Sequence, residues 1–347
     1  MPREIVTIDG SSFRFRDYEL PALGLHDVRV QVTFAAPKHG TEVHAITGSP
    51  FDEKRWDAEL RMFLPKDSAA PPTQRTERSI GNTVVGVVSA VGPAVTRFQV
   101  GDRVFAYGPI RETHQAPESA WRLLDGQSEE DAVCNDPAHV AFVAVRDGNV
   151  RIGDTVAVYG LGAIGLLAVQ IARAGGARRV FGVDPVAIRR EYAATHGADQ
   201  VFDPRTCDAA LEIKRATGNK GVDVSIETSG NARALHDAIR CIRQCGTIVH
   251  VPWGPKDCSA LRLDEEFHLN RPRIIGSQCW EGWGNPDRDY PLWDGARQRD
   301  TVADLFRSGL ITGKGLVMPI VPFDQAPQAL AAIFSRPETT IKVGVTF

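Results

Sequence analysis

Gly160-Leu161-Gly162-Ala163-Ile164-Gly165 fits the spacing GxGxxG. The chemistry that spacing serves is the cradling of a pyrophosphate. Gly160 permits a tight turn, Gly162 lets the backbone approach phosphate oxygens, and Gly165 lets a helix pack closely on a strand. Ala163 and Ile164 open that helix, whose free N–H groups and positive dipole end face an anion. Glycine turns are common, so the motif gains weight only from its neighbours. Thr155 to Tyr159 reads as a short apolar strand before it. Ala163 to Arg173, with Ile164, Leu167 and Ile171 at helical spacing, reads as an apolar helix after it. Asp184 ends the next strand, 19 residues past Gly165. An acid there accepts hydrogen bonds from adenosine ribose hydroxyls and repels a 2′-phosphate, which points to NAD rather than NADP. The plainer role for Asp184 is to cap the helix that follows. Arg189 and Arg190 come about one helical turn later and could soften the preference.

The elements that must position this loop follow a change of rhythm along the chain. Up to about residue 135 the sequence reads as short strands between turns. Asp27 to Thr33 alternates polar and apolar residues, Val84 to Val91 is apolar, and Phe98 to Phe105 reads as a turn and a strand. From about Asp136 helices and strands alternate. Val180 to Val183, Gln200 to Phe202, Val222 to Ile226, Thr247 to Val251 and Arg273 to Gly276 join the strand before the glycine loop, with a helix expected from Val186 to His196. Strands alternating with helices imply a doubly wound parallel sheet, a Rossmann-type α/β fold. The tail carries a helical stretch, Gln325 to Ser335, and a closing strand, Ile341 to Val345.

Bulk properties narrow the partners. A chain of 347 residues suggests two domains, and 43% hydrophobic residues supply their cores. A net charge of −3 argues against nucleic acid or an anionic membrane as partner and leaves a small-molecule substrate. The pairs Arg178-Arg179 and Arg189-Arg190 are too short to change that. The uncharged window from Val156 to Ala172 breaks into strand, turn and helix, so it is not expected to span a bilayer. No signal peptide is expected at the N-terminus, and six scattered cysteines without CxxC spacing are expected to be reduced and mostly buried in a cytoplasmic protein. Cys241 is expected at a helix end and Cys245 in the turn after it.

Several segments together resemble the medium-chain dehydrogenase/reductase superfamily, and within it the polyol and sorbitol dehydrogenase-like branch. They are Gly101-Asp102-Arg103-Val104, Gly153 to Val158, Gly197-Ala198-Asp199, Asp223 to Gly230 and Ile341-Lys342-Val343. The resemblance implies a GroES-like β-rich catalytic domain over 1–138, a Rossmann NAD-binding domain over 139–281 and a return to the catalytic domain over 282–347. It also implies a homodimer or homotetramer, and places Thr228 beside the cofactor.

The resemblance fails at the metal sites. The family's catalytic stretch, Cys-Gly-Ser/Thr-Asp-x-His, is matched by His39-Gly40-Thr41-Glu42-Val43-His44. Its Gly-His-Glu triplet is matched by Gly81-Asn82-Thr83, and no cysteine lies between Tyr107 and Trp121 for a structural zinc. A catalytic zinc needs about three protein ligands; His39 and Asp136 survive as possible ones, with Cys134 close in sequence, while Asn82 and Thr83 are poor zinc ligands. A zinc-independent member is therefore expected. Its base would be His39, with Thr41 and His44 as a proton relay and Asn82 orienting the substrate oxygen. Two other readings stay open: a zinc-free NAD(P)H-dependent reductase of quinones or enones, and an NAD-binding protein without catalysis. A helix from Trp56 to Leu64 and a loop from Pro65 to Glu77 are expected in the 36 residues between His44 and Gly81. Trp280, Trp283, Tyr290 and Trp293 are expected to cluster, either for a ring-bearing substrate or at a subunit contact.

Overall fold

The alternation that begins at Asp27 builds the longest strand, Asp27–Ala36, with Val28, Val30 and Val32 turned into a core. It belongs to a computed structural model that describes residues 1–38, 50–66, 76–254, 257–280 and 284–347. The chain divides into two units, Met1–Cys134 with Gly313–Phe347, and Asn135–Thr312.

The first unit is β-rich. Asp27–Ala36 pairs antiparallel with Thr83–Val91, and its first half also pairs with Thr113–Pro117. The C-terminal strand Lys342–Thr346 returns to the same sheet, placing Val345 opposite Ala35. Lys342 is buried there, and its Nζ donates to the Pro37 carbonyl at 2.9 Å. Val30, Val84, Trp121, Leu330 and Val345 share one core, so the N- and C-terminal parts stabilise each other.

The insert differs from expectation. After a short turn of helix, Pro50–Glu53, the chain forms a hairpin of Lys54–Asp57 and Met62–Pro65, not a helix from Trp56 to Leu64. Asp57 Oδ1 accepts from the N–H groups of Glu59 and Leu60, at 3.1 and 2.9 Å, and Arg61 takes φ 53°. That reversal brings Trp56 opposite Phe63, with ring centroids 5.2 Å apart. Most of the loop expected from Pro65 to Glu77 lies outside the described residues.

A helix over Glu129–Asp147 was not foreseen. Its signal is Ser128-Glu129-Glu130-Asp131, a capping sequence: Ser128 Oγ accepts from the Asp131 N–H at 3.1 Å. The second unit begins inside this helix, at Asn135 rather than 139. The return to the first unit comes at Gly313, not at residue 282. The helix Gly295–Arg307 explains the shift, since buried Gln298 lies 2.7 Å from His139 Nε2 and so holds that helix to the second unit.

The second unit holds a six-stranded parallel sheet. Its strands are β1 (Thr155–Tyr159), β2 (Arg179–Val183), β3 (Gln200–Phe202), β4 (Val222–Glu227), β5 (Ile242–His250) and β6 (Arg273–Gly276). The spatial order is β3-β2-β1-β4-β5-β6. The order reverses between β1 and β4, and in such sheets ligands bind beyond the carboxyl ends of the strands at that point. Helices α1 (Ala163–Ala174), α2 (Ala187–Thr195), α3 (Ala209–Ala216) and α4 (Ala232–Arg240) connect the strands.

Two smaller expectations also change. Cys134 and Cys241 are buried, but Cys245 and Cys258 are exposed, so the free cysteines are not mostly buried. Cys241 does end α4, whereas Cys245 lies within β5 at φ 59°, where the register slips against β4. Of the aromatic residues expected to cluster, Trp280 and Tyr290 are exposed, whereas Trp293 packs on Phe142 and against the guanidinium groups of Arg146 and Arg297. Trp283 lies outside the described residues. Among the described residues, no helix is long and apolar enough to cross a membrane.

Candidate functional site

The glycine loop leaves β1 as its spacing requires. Gly160 takes φ 85°, a conformation that glycine adopts without steric cost. Its N–H donates to the Val183 carbonyl at 2.9 Å. Its own carbonyl accepts from Thr228 Oγ1 at 2.8 Å, so Thr228 holds the loop from below. Gly165 is buried against that turn; a Cβ there would stand 1.8 Å from the Gly160 oxygen. Gly162 is the opposite case, since a Cβ there would meet nothing within 4 Å. Gly162 caps α1 without a side-chain hydrogen bond, and Ala163 and Ile164 are half-buried in the first turn. Open space over Gly162 and an uncapped helix start suit a pyrophosphate.

Asp184 lies directly beside the loop and is buried. Its Oδ2 accepts from the Leu161 N–H at 2.7 Å, and its Oδ1 from the Val186 N–H at 2.7 Å. It therefore fastens both the loop and the turn that leads into α2, whose N-cap, Val186, makes no side-chain cap of its own. A carboxylate has about four acceptor sites, so two remain for ribose hydroxyls. Arg189 Nη1 lies 3.9 Å from Asp184 Oδ2. Arg190 turns away, donating to the Asp184 carbonyl at 2.7 Å and pairing with Asp203 at 3.2 Å.

Spacing alone did not reveal the role of Glu227. This carboxylate is fully buried at the end of β4. Its Oε1 accepts from the Ser229 N–H at 2.6 Å, Ser229 Oγ at 2.5 Å and the Gly230 N–H at 2.9 Å. Its Oε2 lies 2.9 Å from His250 Nδ1, an ion-pair approach off the ideal hydrogen-bond direction. Ser229 in turn abuts Gly160, where a Cβ would come within 2.7 Å of the Ser229 nitrogen. The sequence hid it, because Val222-Asp223-Val224-Ser225-Ile226-Glu227 alternates apolar and polar residues and so assigns Glu227 to the polar face.

In the first unit, the expected base and relay residues His39, Thr41 and His44 lie outside the described residues. Asn82 is described. Its N–H donates to the Ala36 carbonyl at 3.0 Å, next to the strand end from which the His39 segment departs. Its Oδ1 is buried and meets no hydrogen-bond donor among the described residues. Thr83 is buried in the strand that follows. Cys134 is fully buried, and loss of solvent pushes its thiol up to about 12.

Comparison with known proteins gives this geometry a family. Residues 25–136 match the alcohol dehydrogenase GroES-like domain, and residues 163–289 match the zinc-binding dehydrogenase family. D-guloside 3-dehydrogenase of Escherichia coli is 40% identical over 339 residues, covering 95% of this chain and 96% of that protein. The chain belongs to the medium-chain dehydrogenase/reductase superfamily. Sorbitol dehydrogenase of Bacillus subtilis is 26% identical over 298 residues, covering 77% of this chain and 80% of that protein. The solved 2R,3R-butanediol dehydrogenase of Bacillus subtilis shares the fold over 100% of both chains, with TM-score 0.77 at 23% identity.

Membership of the medium-chain superfamily makes the chain an oxidoreductase. It also raises the question of zinc, which the donor set answers in part. Gly81-Asn82-Thr83 supplies an amide and a hydroxyl, both poor zinc ligands. Among the described residues, the one group of three side chains close enough to share a metal is His236, Glu265 and Glu266, within 4.8 Å of one another on the second unit. The His39 to His44 segment, the other part of the catalytic zinc site implied by the family description, lies outside the described residues.

Proposed function

We propose that the chain transfers hydride between a secondary hydroxyl of a sugar or polyol derivative and NAD, without zinc. The observation that carries the cofactor reading is Asp184, buried against the glycine loop with acceptor capacity to spare. The substrate class rests on the 40% identical relative, named for oxidation of a D-guloside at position 3. NAD, when bound, takes the hydride. The chain must then take the hydroxyl proton and stabilise the developing oxyanion. His39 is the proposed base, with Thr41 and His44 as relay and Asn82 as an orienting amide.

Two measurements test the reading. NADH is expected to bind at least about tenfold more tightly than NADPH, since a 2′-phosphate beside the Asp184 carboxylate would be repelled. Tighter NADPH binding would make Arg189 a 2′-phosphate partner and favour the enone or quinone reductase reading. A screen of hexosides, sugars and polyols with NAD, followed by NADH absorbance, is expected to find turnover that survives a chelator. About one zinc per purified chain, with activity lost on chelation, would overturn the zinc-free mechanism.

Free cysteines support a reducing, cytoplasmic setting for this proposal. The edge strand β6 leaves Ile274 exposed, and Trp280, Tyr290 and Leu292 are exposed after it, which supports a homodimer or homotetramer.

A further inference from the structure

We infer that His250, held by Glu227, hydrogen-bonds the nicotinamide riboside half of the dinucleotide and is a cofactor-positioning residue. This rests on the dinucleotide reading above. The sheet has two halves around its switch point. Asp184 and the glycine loop occupy the β1-β2 side, which leaves the other nucleotide for the carboxyl ends of β4, β5 and β6. His250 is the last residue of β5 and pairs in register with Glu227 on β4 and Gly276 on β6.

Its imidazole lies against the Glu227 carboxylate. The Glu227 carboxylate only accepts hydrogen bonds, so a nitrogen 2.9 Å away is attracted only if it carries a proton. The approach is off the hydrogen-bond direction, yet the nearby carboxylate still favours the proton on Nδ1 over Nε2, which leaves Nε2 for a ligand. No partner meets Nε2 among the described residues. The His250 carbonyl accepts from the Ser277 N–H at 2.9 Å, which fixes the backbone too. Beside it, a Cβ on Gly276 would meet nothing within 4 Å, so there is room next to the imidazole. Through Glu227 and Ser229 the same network reaches Gly160, linking His250 to the pyrophosphate loop.

A ribose hydroxyl and a carboxamide can each meet an imidazole nitrogen, and both belong to the nicotinamide half. Calorimetric titration of the full chain with NADH, ADP-ribose and AMP separates them. His250→Ala is expected to raise the NADH Kd about tenfold, the loss of one good hydrogen bond, and to leave the AMP Kd within about twofold. His250→Gln, which keeps a polar end, is expected to recover most of the loss. If ADP-ribose weakens with NADH, the partner is the ribose; if it behaves like AMP, the partner is the carboxamide. Unchanged NADH affinity, or parallel weakening of NADH and AMP, would overturn the inference. If the unsubstituted chain bound neither NADH nor NADPH, the dinucleotide reading would fall as well.

Discussion

Gly165→Ala is expected to abolish measurable dinucleotide binding and to destabilise the second unit. The added methyl would stand 1.8 Å from the Gly160 carbonyl oxygen and 2.9 Å from Thr228 Oγ1. The nearer atom is backbone, so no rotamer change relieves the contact. Thr228 Oγ1 donates to that same oxygen at 2.8 Å and is itself crowded by the methyl. The start of α1 must therefore move away from β1, although every residue from Gly165 to Ala172 is buried. Overpacking of this kind costs about 1–3 kcal/mol and sometimes more. For a unit of this size that lowers Tm by roughly 2–4 °C per kcal/mol. The amides aimed at the phosphates move with the helix, so the NADH Kd is expected to rise at least about a hundredfold, beyond the tenfold that one lost hydrogen bond would give. Gly162→Ala is the informative control. Its methyl enters open space at φ −69°, so Tm should hold while NADH binding weakens. Wild-type NADH affinity in that variant would remove the pyrophosphate from the loop.

Acidification should destabilise the first unit through His114. The ring is buried beside Trp121, with centroids 6.3 Å apart at a steep angle. Its Nε2 lies 2.8 Å from the Pro109 carbonyl, and Arg111 Nε donates to Nδ1 at 3.1 Å. Desolvation, then the Arg111 charge, pushes the imidazole from 6.5 down to about 3. The folded chain thus keeps His114 neutral, while the unfolded chain protonates it below about pH 6.5. The unfolded state then holds more protons, so stability falls with pH by up to about 1.4 kcal/mol per unit. The loss stops near pH 3, where the folded imidazole protonates as well. At pH 4.5 this one site should remove roughly 2–3 kcal/mol, a large share of a typical margin of about 5–15 kcal/mol. Urea unfolding from pH 7.5 to 4.5 checks this against His114→Gln, which keeps a donor for Pro109 but does not titrate. Other groups contribute to both curves, so the difference isolates His114. Parallel curves would show that His114 carries no such linkage.

Elements marked by local periodicity were legible in the sequence. The glycine loop, the strand before it, the apolar helix after it and the short strands of the parallel sheet all appear close to where spacing put them. The order of a β-rich part, an alternating part and a return was legible for the same reason. Each rests on residues within one or two turns of chain, where the side-chain period reports which face is buried. The helix Glu129–Asp147 carried a readable start signal in Ser128 to Asp131, but Pro137 and its mixed composition obscured it.

What the tertiary structure alone decided depends on pairing between distant residues. The hairpin over 54–65 wins over a helix because Trp56 finds Phe63 across the turn. The return of the chain waits until Gly313 because Gln298 is bound to His139, 159 positions earlier. Asp184 was readable as an acid at a strand end after the glycine loop, but its grip on the Leu161 N–H depends on the tertiary fold. Glu227 and His250 are 23 residues apart and share no motif. Only the parallel register of β4 and β5 sets them side by side, because a buried carboxylate must find its partners wherever the sheet places them. Local spacing therefore determined that the glycine turn between strand and helix is present, while strand register decided which side chains surround it.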